Sequence, residues 1–136
     1  MIGVLIATHG NLGVELIKAA EMIRGTLKGV AHVSVDQDKG VEDIKKEISA
    51  AIKKLDQGQG VLILTDLFGG TPSNLSLSFL KKGKVEVITG VNLPMLLKLA
   101  EVQQEKPLDE FANCLKEYGI KNISLASEIL GKKFSG

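Results

Sequence analysis

Cysteine is nearly absent from this 136-residue chain: Cys114 stands alone, which excludes an internal disulfide and a cysteine-based metal cluster and favours a cytoplasmic protein. No apolar run approaches the ~18 residues a membrane span needs, and the amino terminus shows no basic segment leading into a long apolar core of the secretory type. Net charge is small, with 17 basic and 16 acidic residues, so nothing electrostatic points to nucleic acid or to an anionic membrane. One tyrosine and four phenylalanines are the whole aromatic complement, too few for a platform that stacks single-stranded bases. No internal repeat, low-complexity stretch or linker interrupts the chain. What remains is a 44% apolar sequence, long enough to bury a core without staples and expected to form one domain over residues 1–136.

The most informative stretch is the first. Ile2-Gly3-Val4-Leu5-Ile6-Ala7 is an apolar run too short for a buried helix, and it stops at Thr8-His9-Gly10. A fully buried parallel strand reads this way, with His9 left at the carboxyl edge, where open α/β sheets keep their ligands. A second such run, Gly60 to Thr65, ends on Asp66. Between and beyond them, strands and helices alternate. Leu12, Leu16, Ala19, Ala20 and Ile23 mark a helix with Asn11 as its N-cap and Gly25 as its stop. Val30 to Val35 reads as a strand, and Val41, Ile44, Ile48, Ala51, Ile52 and Leu55 as an amphipathic helix. Thr71 is expected to cap a helix whose first residue is Pro72 and which runs to about Leu80. Lys84 to Thr89 gives a fourth strand. Helices near Met95 to Gln103 and Leu108 to Tyr118 follow, the second broken by Gly119, and Lys121 to Ala126 reads as a last short strand. The tail from Ser127 carries weak signals, compatible with a helix, fraying or a role in assembly. The alternation predicts an α/β fold with a parallel sheet covered by helices on both faces.

In such a sheet His9 and Asp66 share one edge with the turn Gly69 to Ser73. If their strands are neighbours, Asp66 can accept a hydrogen bond from Nδ1 of His9, which fixes the tautomer and leaves Nε2 with a free lone pair. Gly69 and Gly70 allow close backbone approach, and the hydroxyls of Thr71 and Ser73 can add donors to a phosphate-sized anion. These are the parts needed to carry a phosphoryl group on histidine. Each residue also has a plainer reading. His9 can cap a turn, Asp66 can cap a helix, the glycines can serve only the turn, and Phe68 can be core. His32, inside a strand, reads as structural, and Asn92 either bonds within its loop or lines the site. A triad of Ser73, His9 and Asp66 lacks the Gly-x-Ser-x-Gly elbow of hydrolases. No Walker loop or Gly-x-Gly-x-x-Gly fingerprint follows a strand, and a metal site would have only two histidines to draw on, one of them apparently buried.

Three motifs, Thr8-His9-Gly10, Asp66-Leu67-Phe68-Gly69-Gly70-Thr71-Pro72-Ser73-Asn74 and Gly90-Val91-Asn92-Leu93-Pro94-Met95, resemble in type and order the IIA component of the mannose-family (mannose/fructose/sorbose) phosphoenolpyruvate-dependent sugar phosphotransferase system of bacteria. The similarity spans roughly Met1 to Ala126. It implies a three-layer fold with strand order 2-1-3-4 and a fifth, antiparallel edge strand near the carboxyl terminus. It also implies a phosphotransferase component working through phosphohistidine without a cofactor or metal, with HPr as donor and a IIB component as acceptor. The phosphorylated nitrogen would be Nε2 of His9, its partner carboxylate Asp66, and the hydroxyl donor Thr71. Family dimers exchange a carboxy-terminal strand, for which Lys121 to Ala126 is the candidate. Leu67 departs from the pattern, since some members carry a hydroxyl there. Some members also fuse the IIB domain; this chain is expected to use a separate one. Phe68 and Leu93 are candidate docking residues, and they motivate an alternative role as a regulatory binding module. Delivery to a dihydroxyacetone kinase is a further option, which the glycine-rich turn disfavours.

Overall fold

The computed structural model describes residues 1–104 and 106–131. Its elements in chain order are β1 (Gly3–His9), α1 (Leu12–Arg24), β2 (Val30–Val35), α2 (Val41–Leu55), β3 (Val61–Thr65), α3 (Thr71–Leu77), β4 (Val85–Thr89), α4 (Leu93–Val102), α5 (Leu108–Lys121) and α6 (Ala126–Ile129). Among the described residues the sheet has four strands, all parallel, in the order β2-β1-β3-β4. The three-layer α/β architecture and the strand order are therefore as expected.

Period-2 alternation divides the interior in two. Val4 and Ile6 of β1 join Leu62 and Leu64 of β3 in a cluster with Ala20 of α1, Leu96 and Leu99 of α4, and Phe111 and Leu115 of α5. Leu5 and Ala7 of β1 join Val61 and Ile63 of β3 in a second cluster with Ile44 and Ile48 of α2, against which Leu75 of α3 packs. Val4 to Ala7 of β1, and Ile2 just before the strand, have no exposed surface at all. Both strands that carry the site are thus clamped from two directions, and their ends have little freedom to move.

The carboxy-terminal expectation requires correction. Gly119 does not end α5: it lies inside the helix, where a methyl group would come within 2.3 Å of Met95 Cε. It is a glycine because α4 approaches that closely, and its carbonyl still accepts from Nδ2 of Asn92 at 3.0 Å. Residues 122–125 form no strand, and Ala126–Ile129 is a short helix. The fifth, edge strand is not seen among the described residues; β-prone side chains form a strand only where a neighbouring edge pairs with them. The expected tail runs partly through residues 132–136, which lie outside the described set.

Smaller shifts have equally local causes. In α1 the seated face is Gly13, Leu16, Ile17 and Ala20, while Leu12 and Ile23 flank it and are exposed. Asn11 occupies the N-cap without a side-chain bond; instead Oγ1 of Thr8, at the end of β1, accepts the Gly13 amide at 2.8 Å. His32 is exposed on β2 rather than buried, because β2 is the edge of the sheet.

Candidate active site

The chain leaves β1 toward β2 on one side, and from β3 it continues to β4 on the other. The carboxyl ends of β1 and β3 therefore flank the point where the direction of winding reverses, the usual crevice of open α/β sheets. His9 is the last residue of β1 and Asp66 the first after β3. The register pairs Ala7 with Thr65, which brings the two side chains together. His9 Nδ1 lies 2.8 Å from Oδ2 of Asp66, and the same oxygen accepts the His9 backbone N–H at 3.0 Å. Oδ1 accepts the amide of Leu67 at 3.1 Å.

The pair is asymmetric: the Asp66 side chain is 8% exposed and that of His9 49%. Burial works against the Asp66 charge, but the hydrogen bonds from the amide and ring of His9, with the attraction of that ring, outweigh it and hold the carboxyl below its ordinary value. Near neutral pH Asp66 is consequently an anion that can only accept. The ring nitrogen facing it then carries the hydrogen, so in the neutral imidazole the lone pair belongs to Nε2, on the far side of the half-exposed ring.

Gly70 closes one flank. A methyl group there would sit 2.7 Å from Cε1 and 3.1 Å from Nε2 of His9, so the imidazole lies against bare backbone and no other residue fits without pushing the ring away. The helix starts one residue earlier than expected, with Gly70 as N-cap and Thr71 as its first residue. That offset decides the two hydroxyls. Thr71 is exposed and lines a cleft of about 530 Å³ together with His9 and Gly10. Ser73 is turned inward and fully buried, and its Oγ has no hydrogen-bond partner among the described residues. Ser73 therefore does not present a donor beside His9 and leaves the set of candidate phosphate ligands.

The structure also separates the docking candidates. Phe68 is 74% exposed two residues after Asp66, whereas Leu93 is half-buried and packs on the core cluster. Asn92 uses both ends of its amide internally. Its Oδ1 accepts the Met95 amide at 3.2 Å, capping α4, and its Nδ2 holds α5. The far wall of the cleft, Val35 to Gln37 with Lys39, Val41 and Ile44, went unnoticed in the sequence. Nothing local marks it, since it is brought to His9 only by the pairing of β2 with β1.

A switch-point histidine hydrogen-bonded to a buried carboxylate, on a parallel α/β sheet, defines the class of structure. Comparison with known proteins narrows the class. The family described as "PTS system fructose IIA component", PTS being the phosphotransferase system, matches residues 3–116. The PTS system fructose-specific EIIA component of Bacillus subtilis is 31% identical over 133 residues, 97% of this chain and 91% of that protein. The PTS system mannose-specific EIIAB component of Escherichia coli is 34% identical over 124 residues, 90% of this chain but 38% of that longer protein. Among solved structures, the mannose/sorbose specific IIA subunit from Enterococcus faecalis matches with a TM-score of 0.81 at 27% identity, covering 91% of this chain and 93% of that one. The chain belongs to the mannose family of PTS IIA components.

Proposed function

We propose that this chain is a cytoplasmic phosphocarrier that takes a phosphoryl group from phospho-HPr onto Nε2 of His9 and passes it to a separate IIB component during sugar uptake. The observation that carries the reading is the 2.8 Å contact between Nδ1 of His9 and the buried Asp66 carboxylate. It supplies what the reaction needs: a ring held through Nδ1, with Nε2 fixed in direction. The Nε2 lone pair attacks phosphorus as the donor's N–P bond breaks, and the bonding pair returns to the donor nitrogen. His9, already protonated on Nδ1, becomes a cationic ring, and the Asp66 anion stabilises that charge. Transfer to IIB runs the same exchange in reverse. Little covalent work is asked of the protein, so positioning and charge suffice. Gly70 gives the ring its space, Thr71 stands nearby as the hydroxyl donor, and Phe68 offers an apolar contact to the incoming partner.

Family membership supports the phosphocarrier role, and among the described residues no helix is long and apolar enough to cross a membrane. We assign the chain to a homodimer as well. Ile120, Ile123, Leu125 and Ile129 are between 61% and 74% exposed at and beyond the end of α5, an apolar surface that a second copy would cover. Incubation with phosphoenolpyruvate, enzyme I and HPr should raise the intact mass by one phosphoryl group, and onward loss of the label to a IIB protein should follow. An unchanged mass rejects the proposal. A label that enters and never leaves points instead to a regulatory module.

A further inference from the structure

We propose that Thr8 is a positioning residue for His9, acting through the first turn of α1; the proposal rests on the phosphocarrier reading above. Thr8 follows Ile6 by two on the α1 side of the strand, whereas His9 follows Ala7 by two on the other. The hydroxyl therefore works from behind the catalytic residue. It is fully buried, and its Oγ1 accepts the Gly13 amide at 2.8 Å. The helix rests hard against the strand end there: a methyl group at Gly13 would lie 3.1 Å from Oγ1 of Thr8 and 3.0 Å from Cγ2 of Ile6.

Between Thr8 and Gly13 the chain makes one tight reversal, with Gly10 at φ +53°. Because Asn11 contributes no side-chain cap, the Thr8 hydroxyl is the side-chain acceptor that ties α1 to the end of β1. The reversal is thus held at three points: Thr8 to Gly13, the Gly10 amide to the Val35 carbonyl at 2.8 Å, and the His9 amide to Oδ2 of Asp66 at 3.0 Å. The last of these matters chemically. Oδ2 receives both the backbone and the ring of His9, and the two donors converge on one oxygen only over a narrow range of backbone and side-chain angles. Releasing α1 lets the backbone at His9 relax, the amide leaves Oδ2, and the imidazole loses its fixed direction. Misplacements of this kind commonly slow transfer by one to two orders of magnitude.

The test uses the full chain carrying Thr8→Val, Thr8→Ala or Thr8→Ser. Three quantities are read: thermal unfolding, the rate of phosphoryl uptake over a range of phospho-HPr concentrations, and the His9 ring tautomer by 15N NMR. Thr8→Val should lower the maximal rate by roughly tenfold, leave the half-saturating donor concentration unchanged, and reduce the share of the Nδ1–H tautomer. Thr8→Ala gives the same comparison should the valine variant fail to fold. Thr8→Ser, which keeps the acceptor oxygen, should restore both rate and tautomer. Wild-type rate and tautomer in the variants that lack the hydroxyl would overturn the proposal, as would a serine variant no better than they are. If the wild-type protein takes up no label, the phosphocarrier reading fails, and the tautomer measurement still decides the role of Thr8.

Discussion

The β1–β3 junction and the segment after α5 are both rich in apolar residues, yet they end in opposite states. At the junction, Val4 to Ala7 and Val61 to Leu64 have no exposed surface, and the polar residues that close the strands are fixed to within hydrogen-bond distance of one another. After α5, Ile123 is 74% exposed and no strand forms among the described residues. Side-chain type does not separate the two regions; available partners do. β1 and β3 each have a strand on both sides, and both clusters close over them. Among the described residues, the segment after Lys121 pairs with no strand edge. Rigid geometry arises where the chain supplies all the neighbours, and the apolar residues after α5 are left exposed.

The largest effect that would break this contrast is loss of the proposed nucleophile. His9→Gln should abolish phosphoryl uptake, measured by intact mass, while leaving the unfolding curve nearly unchanged, since the ring is half-exposed. Asp66→Ala should fold and still accept label, but with about 2–4 kcal/mol less transition-state stabilisation, or roughly 30- to 900-fold slower transfer in rapid-quench kinetics. The two regions can then be compared directly by urea unfolding. Leu64→Ala, in the fully buried β3, should cost about 2–5 kcal/mol, whereas Ile123→Ala should shift monomer stability by less than about 0.5 kcal/mol and instead weaken self-association, read by sedimentation. A large stability loss for Ile123→Ala would show that the segment is held within the monomer after all.

The smallest expected effect concerns pH. Because the Asp66 carboxyl is held below its ordinary value in the folded protein, its contribution is complete above the unfolded value near pH 3.9. It is lost as pH falls through the lower folded value. Stability should therefore decline below about pH 4, and the decline should be shallower in Asp66→Asn.

The junction was legible in the sequence because local and global signals agree there. Two short apolar runs ending on His9 and Asp66 can hardly be anything but buried parallel strands, and such strands put their ends on one edge. Adjacency was not in the pattern itself; it came with the family resemblance, and the register of β1 with β3 bears it out. Ser73 was misplaced because a one-residue shift of the helix start rotates a side chain by about 100°, enough to turn a donor into a buried hydroxyl. Gly119 looked like a helix stop because the close approach of Met95 is a tertiary fact. The edge strand failed for the same kind of reason: among the described residues no strand edge pairs with residues 122–125.

The most direct measurement is the position of the phosphoryl group. The protein, phosphorylated through enzyme I and HPr and carrying 15N-labelled histidine, should show phosphorus coupled to Nε2 of His9, with the hydrogen on Nδ1 retained against Asp66. Phosphorus on Nδ1, or on any residue other than His9, would contradict the account.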